Sequence, residues 1–521
     1  MTGWGRYPGR RRGGLGRGVN SHDHRNWLGS RGERGSGGWW RRRHGWRAGG
    51  TGAVAGVALV TVLSAGAPAA ARPGAAGQGG PAPVAAGGIW RVVPTVSPQA
   101  AARTQSALFG VSLDSAGDGW AVGNLVTTVP NPQGGPRLVV SRALGERWNG
   151  TRWRQVAMAQ PPTQHALPQA VADLGSGDAW AVGFTGDVAP GTSSPSGGLV
   201  EHWDGTRWLI AATPGSAAET LNAVAGTGPD DVWVAGAMNL GAPPPAGDNT
   251  FFEHFNGTSW QAVPGPAGNF SEDPVEVTAL AALSPSDVWA MGTQNPELSG
   301  EPGSLNMAAH WNGKTWAVVP TPNLGNSVSQ ADVPTGVTAV SAADVWASGV
   351  EFTGCQAASA RGGSRLAAGG HSPVLPLALR LRPGGLLRLP GATGQCLVPY
   401  VLHWDGKTWS LIKTPDPGAF GSALEGITAL SASDIWAVGQ TQSSAKGPVQ
   451  TLTERFNGTS WTVAASPDPG TAGNDELFAV ASPGGRQLDA VGGAAVAGDP
   501  CLTDVSGTFC LRTLALHTTS G

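Results

Sequence analysis

Asp231-Val232-Trp233-Val234-Ala235-Gly236 is the stretch on which the reading of this chain turns. The pattern returns at Asp118–Gly123, Asp178–Gly183, Asp287–Gly292, Asp344–Gly349 and Asp434–Gly439, and in a worn copy at Leu488-Asp489-Ala490-Val491-Gly492. Its tryptophans, Trp120, Trp180, Trp233, Trp289, Trp346 and Trp436, recur about every 55 residues before one longer last step, a period that marks a solenoid, a propeller or an array.

A second signature lies between the copies: Glu201-His202-Trp203-Asp204-Gly205-Thr206-Arg207-Trp208. Its relatives are Glu146–Trp153, Glu253–Trp260, Ala309–Trp316, Leu402–Trp409 and Glu454–Trp461. Asn-Gly or Asp-Gly between two apolar-alternating runs signals a hairpin, because the turn needs φ > 0. A third piece, such as Leu221-Asn222-Ala223-Val224-Ala225 or Ile427-Thr428-Ala429-Leu430-Ser431, precedes each hexapeptide across a turn like Ser284-Pro285-Ser286-Asp287. Each unit therefore reads as four strands, a to d, the pattern of a propeller blade.

Ile89-Trp90-Arg91-Val92-Val93-Pro94 is a d strand with nothing before it, and Leu477–Ala481, Leu488–Gly493 and Leu511–His517 are a, b and c with nothing after them. Joined, they complete one blade and remove two open sheet edges. The expected fold is all-β: a seven-bladed β-propeller, four antiparallel strands per blade, closed by strand 89–94 joining the C-terminal blade. Of 22 Trp, the 17 after residue 50 all occupy repeat positions, so they are expected to build core, each burying roughly 150–250 Å².

Residues 1–50 hold 12 Arg against Asp23 and Glu33. The apolar run Ala53–Leu63 and the small-residue sites Ala67-Pro68-Ala69 and Ala69-Ala70-Ala71 follow. Basic region, apolar core and small-residue cut make 1–71 a signal peptide. The run is short for a membrane span; an uncleaved anchor and a misassigned start codon are the alternatives. Residues 72–88, rich in Ala, Gly and Pro, read as a flexible linker, and 89–521 as the propeller. The expected location is secreted or in the extracytoplasmic cell envelope, with no membrane span after signal cleavage. After residue 50, 21 Lys+Arg face 33 Asp+Glu, an acidic body that argues against nucleic acid.

The a–b and c–d turns are short, whereas the b–c and d–a connections are long and variable: Asn124–Ala143, Phe184–Gly198 and Ala237–Asn249 for b–c, Pro264–Pro274 and Pro320–Pro334 for d–a. Strands alternate in direction, so every variable loop projects from one face, where binding surfaces are usually carried. Blade five is interrupted by an insertion at about 351–399, within which 361–390 holds no acid and is either a disordered loop or an out-of-frame stretch. Cys355 and Cys396 bracket it, and Cys501 and Cys510 bracket the b–c loop of blade seven. In an exported chain these local pairs read as two disulfides; no His stands at ligand spacing for a metal site.

His202, His254, His310, His403 and His517 share one position in strand c, with Arg147 and Arg455 in the other two blades. A residue recurring once per blade is expected to be structural; the rival is a ring of basic groups for an anion. The Asp opening each b strand is expected to bond backbone N–H groups of its turn. Asn149-Gly150-Thr151, Asn256-Gly257-Thr258 and Asn457-Gly458-Thr459 match the glycosylation sequon, but turn chemistry explains them. There is no G-x-S-x-G, phosphate loop or H-E-x-x-H, so no catalytic, cofactor-binding or metal residue is assigned.

Strand b ending in Gly, the tight turn from c to a Trp-bearing d and the Val-Pro-x-Pro that follows resemble the Kelch repeat over 89–517. Asp204-Gly205-Thr206-Arg207-Trp208 and Asp405-Gly406-Lys407-Thr408-Trp409 also look like Asp-box and photosystem-assembly-factor propellers. The resemblance implies a bacterial secreted propeller. Kelch units carry Gly-Gly after strand b; here a single Gly stands except at Gly492-Gly493. The galactose oxidase type implies two Tyr and two His around copper, whereas this chain has only Tyr7 and Tyr400. Sialidases imply a Tyr nucleophile and an arginine triad, and Tyr400 lies in a repeat strand.

The expected function is a monomeric binding propeller whose partner, a glycan, cell-wall polymer or protein, meets the long-loop face, without a cofactor. The alternative is a glycosidase-like enzyme using loop acids such as Glu272, Asp273, Glu297 and Glu301. A spacer or sensor domain is the third reading.

Overall fold

The computed structural model describes residues 90–96, 104–131, 134–135, 137–162, 165–175, 177–186, 197–213, 219–238, 250–266, 275–294, 305–324, 331–354, 395–444, 447–470, 473–496 and 510–519. The chain divides into Met1–Gln78 and Gly79–Gly521, and every described residue belongs to the second unit. The basic segment, the apolar run, the linker and the Cys355 and Cys501 positions lie outside the described residues.

The described residues are all-β. After β1 (Arg91–Val92), strands follow in fours. The first four are β2 (Gln105–Ser115), β3 (Asp118–Val129), β4 (Leu138–Trp148) and β5 (Trp153–Val156); the next are β6 (His165–Asp173), β7 (Ala179–Gly186), β8 (Gly197–Trp203) and β9 (Trp208–Ile210). Then come β10 (Glu219–Gly228), β11 (Asp231–Met238), β12 (Thr250–Phe255) and β13 (Trp260–Pro264), followed by β14 (Val275–Ser284), β15 (Asp287–Gln294), β16 (Leu305–Trp311) and β17 (Trp316–Val319). The fifth four are β18 (Ala331–Ser341), β19 (Asp344–Gly354), β20 (Gln395–Trp404) and β21 (Trp409–Ile412); the sixth are β22 (Gly421–Ser431), β23 (Asp434–Gln442), β24 (Val449–Phe456) and β25 (Trp461–Ala464). Last come β26 (Asp475–Ala481), β27 (Gln487–Val496) and β28 (Cys510–Thr519).

Five sheets are four-stranded, and one eight-stranded sheet consists of two antiparallel fours joined by the single parallel pair Ser141↔His165. The last sheet runs β1-β28-β27-β26, so the first strand pairs with the last, Arg91 opposite His517 and Val92 opposite Leu516. None of the sheets closes on itself into a barrel. This architecture of repeated four-stranded antiparallel sheets is consistent with a propeller.

Every first strand carries a one-residue register shift, at Phe109, Gln169, Asn222, Thr278, Thr335, Glu425 and Phe478. The glycine that ends each hexapeptide lies opposite this bulge. A Cβ on Gly123, Gly183, Gly236, Gly292, Gly439 or Gly492 would overlap the backbone carbonyl of the residue two before the bulge, and one on Gly349 would overlap the Tyr400 ring. The signature glycine is therefore a close-approach glycine.

The core lies between sheets, not within them. Its main clusters each draw on two successive fours, and one joins Val491 and Ala515 of the last to Leu108, Trp148 and Trp153 of the first. Each b-strand Trp is buried and meets the aromatic pair of the following four: Trp120 with Trp203 and Trp208, Trp233 with Trp311 and Trp316, Trp346 with Phe456 and Trp461, at centroid separations of 4.8–6.0 Å. Trp436 meets Trp90 of β1 edge-on at 5.7 Å.

Three sequence expectations need correcting. The c–d connection is wider than the Asn-Gly or Asp-Gly dipeptide that signalled it, a four-residue loop: Trp148 pairs with Trp153, and the Asn149 side chain accepts the N–H of Thr151 and Arg152 while Gly150 takes φ +86°. Strand pairing invades the connections read as loops, because β3 and β4 stay paired out to Val129↔Leu138. It also invades both ends of the 351–399 stretch, where β19 and β20 stay paired to Gly354↔Gln395. Continued ladder pairing satisfies backbone groups that a loop would leave to solvent.

Candidate binding face

The two ends of each four have different chemistry. At the short-turn end, the Asp opening strand b bonds locally at Asp118, which accepts the Gly119 N–H, and at Asp231, which accepts the Thr227 hydroxyl. Its recurring partner is the basic residue of strand c, which Asx chemistry did not suggest. His254 Nε2 lies 2.7 Å from Asp231 Oδ1, His310 Nε2 2.8 Å from Asp287 and His403 Nε2 2.9 Å from Asp344; His202 stands 3.3 Å from Asp178. Arg147 and Arg455 make two-pronged pairs with Asp118 and Asp434 at 2.6–2.8 Å. The same base covers the b-strand Trp of its own sheet: His202 stacks on Trp180 at 4.2 Å, His403 on Trp346 at 4.0 Å, and the Arg147 guanidinium lies 5.5 Å from the Trp120 centroid. In the last sheet Asp489 occupies the Trp position and pairs with a buried His517, which stacks on Trp148. A ring of bases each holding its own carboxylate is a structural device, so the anion-binding reading loses its charge.

Strand c supplies a second device. Glu146, Glu201 and Glu454 are fully buried and point between sheets, where they accept the Val96 N–H, the Ala159 N–H and the Thr414 hydroxyl of the chain leaving the preceding sheet. Burial pushes their carboxyls up, to about 7 for Glu146 and about 8 for Glu201 and Glu454. The Glu-His and Glu-Arg dipeptides were visible in the sequence, but nothing in them told that the Glu faces the neighbouring sheet.

At the other end, the inner strands begin in buried polar residues: Thr104, Gln105 and Ser106; Thr220 and Asn222; Glu276 and Thr278; Asp332 and Thr335; Ser422 and Glu425; Asp475 and Glu476. The bulge residues stitch one sheet to the next. Asn222 Nδ2 donates to Val277 O and to Glu276 Oε1, both at 2.9 Å; the Thr278 hydroxyl donates to Pro334 O at 2.6 Å and that of Thr335 to Leu424 O at 2.7 Å. Phe478 and Phe109 meet at 5.4 Å across the first and last sheets. Carboxylates gather on the fourth to seventh sheets, amides and hydroxyls on the first three.

Tyr400 belongs to this end as a core residue. It is buried, its hydroxyl donates to Asn306 Oδ1 at 2.5 Å, and burial, reinforced by Asp332 and Glu351, holds its phenol well above the usual range. A phenol so placed is no nucleophile. The d–a connections are anchored by their own acids: Asp475 accepts the Gly470 N–H, and Asp468 the Thr451 N–H. The recurrence of Pro415-Asp416-Pro417-Gly418 as Pro467-Asp468-Pro469-Gly470 was the sequence signal for these anchors.

No family model matches the chain, and no curated protein matches it. Solved structures do resemble it at a distance. A protein of unknown function from Dyadobacter fermentans has 11% identity and a TM-score of 0.43, covering 83% of this chain and 98% of its own. An ulvan lyase has 9% identity and a TM-score of 0.44, covering 81% and 95%. YCF48 bound to a D1 peptide has 12% identity and a TM-score of 0.34, covering 71% and 94%.

The loop acids Glu272, Asp273, Glu297 and Glu301 lie outside the described residues. Cys396 and Cys510 are described through their backbones, opposite Thr353 and Val496. Among the described residues no His, Cys, Asp and Glu group has the geometry to hold a metal, and no helix is long and apolar enough to cross a membrane.

Proposed function

We propose that residues 89–521 form a closed, seven-bladed, Kelch-like propeller that is exported and binds a glycan, cell-wall polymer or protein through the face carrying the b–c and d–a connections. The observation that carries this reading is the difference between the two ends. The short-turn end repeats one Asp–base–Trp device around the molecule, with each base engaged by its own carboxylate. The opposite end differs from sheet to sheet, in its inner-strand polar residues and in its hairpins: β3 and β4 extend to Val129↔Leu138, whereas β11 and β12 end at Ala237↔Thr250. Invariant ends build scaffolds and variable ends recognise partners.

Closure is supported by the β1–β28 ladder, the Phe109–Phe478 contact and the packing of β2 against β26. Cys355 with Cys396 and Cys501 with Cys510 are the proposed loop-closing disulfides. The test is a glycan array and a cell-wall pull-down with the exported chain, set beside a turnover assay on the same polymers. Binding that disappears when the β3–β4 hairpin tip is shortened supports the reading. Turnover that depends on Glu272, Asp273, Glu297 or Glu301 replaces it with the glycosidase-like alternative.

A further inference from the structure

The bulge residue of each inner strand occupies a slot with a fixed task. In three successive sheets its polar side chain donates a hydrogen bond forward: Asn222 to Val277 O, Thr278 to Pro334 O and Thr335 to Leu424 O. The sixth sheet puts Glu425 in that slot. The strand ahead of it, β26, places Glu476 where β14 places Glu276, two residues before its own bulge and opposite the glycine's neighbour, Gly493. The register thus gives Glu425 and Glu476 the two positions that Asn222 and Glu276 hold, where Asn222 Nδ2 donates to Glu276 Oε1 at 2.9 Å, so that a second carboxyl stands in place of the amide. Both are buried, Glu425 at 6% exposure and Glu476 at 3%. Glu476 Oε1 has no hydrogen-bond partner in the protein.

We propose that Glu425 and Glu476 share one proton, so that Glu425 acts as the slot's donor, and that release of this proton to solvent loosens the junction between the sixth sheet and the sheet that holds the chain's first strand. Two neighbouring carboxylates out of solvent cannot both ionise cheaply. The charges acting on Glu476, those of Glu425 and Asp475, are both negative, and burial with these neighbours pushes its carboxyl up to about 8. The elements packed on β22 and β26 bring other ionisable groups, most of them engaged elsewhere. Asp434 of β23 pairs with Arg455 of β24, Glu454 of β24 takes the Thr414 hydroxyl, and Asp489 of β27 pairs with His517. From β18 and β19, Asp332 accepts the Leu324 N–H and Glu351 lies near Tyr400; β20 adds His403, paired with Asp344, and β2 adds Asp114. The Glu476 carboxyl titrates above an unfolded carboxyl, so its stabilising effect is present at acid pH and is lost as pH rises through it.

Calorimetry of the full exported chain at pH 6 and pH 9 tests this. Glu425→Gln restores amide facing carboxylate, and should shrink the fall in Tm between the two pH values by about 2–4 °C. Glu476→Gln should do the same, and serves if the first variant does not fold. The double variant should flatten the profile no further than either alone, because only one proton is shared, whereas Glu425→Gln combined with the remote Glu201→Gln should add. Profiles parallel to wild type, or additive effects of the two substitutions, overturn the proposal.

Discussion

Gly236 shows how much a single atom decides here. Its Cβ would overlap the Thr220 carbonyl at the bulge of β10, whereas a Cβ on Gly228 meets nothing within 4 Å. Gly236→Ala should therefore destabilise by about 1–3 kcal/mol or more through overpacking, while Gly228→Ala should be close to neutral; urea unfolding of the two variants checks the contrast. Trp233 is equally committed: His254 stacks on it at 4.4 Å, and Trp311 and Trp316 meet it at 4.9 and 5.4 Å. Trp233→Ala should cost about 3–5 kcal/mol, readable in the same denaturation series. The aromatic register was legible in the sequence because core Trp recur at fixed offsets. The partner of each Asp was not, because an Asp after a turn can bond its own backbone just as well, and only the register that sets Trp233 opposite His254 brings the base within reach.

At the scale of the element, strand c ties a four to the one before it, where at most the single ladder pair Ser141↔His165 spans the junction. Glu146, Glu201 and Glu454 have folded carboxyls at about 7 to 8 against an ordinary 4.5. A carboxyl raised in the folded state binds its proton more tightly there than in the unfolded chain. Its contribution is whole below about 4.5 and is lost as pH rises towards 8. Stability should thus fall from pH 5 to pH 8, and Glu201→Gln, which still accepts from Ala159 but cannot ionise, should flatten part of that fall; Tm measured across the range decides it. The hairpins were the element read least well. Their Asn-Gly and Asp-Gly tips announced a turn, but loop length depends on where the ladder closes, and the pair Trp148↔Trp153 closes it two residues further out than the dipeptide suggests.

For the whole molecule, the β1–β28 pairing is the feature with the largest consequence. Thr95 and Thr513 exchange a hydrogen bond beside it, and Arg512 reaches the Thr104 carbonyl and hydroxyl. Removing the chain up to residue 96 would bare the β28 edge and take Trp90 away from Trp436. The truncated protein should melt several degrees lower and self-associate, because an unpaired strand edge is a template for pairing; light scattering and calorimetry would show both.

The periodic hexapeptide by itself determined the all-β class, the four-strand unit and the pairing of the segment around Trp90 with the chain's last strand, because side-chain alternation and turn residues are local and survive in one dimension. The tertiary structure alone decided which buried acids face which neighbours, since that depends on how one sheet lies against the next. Asn222 and Glu425 are unremarkable inner-strand residues until the following sheet sets Glu276 and Glu476 before them. Contacts between sheets join residues some fifty positions apart with no spacing rule to announce them, and that is the physical reason the scaffold could be read from the chain while the polar end of its inner strands could not.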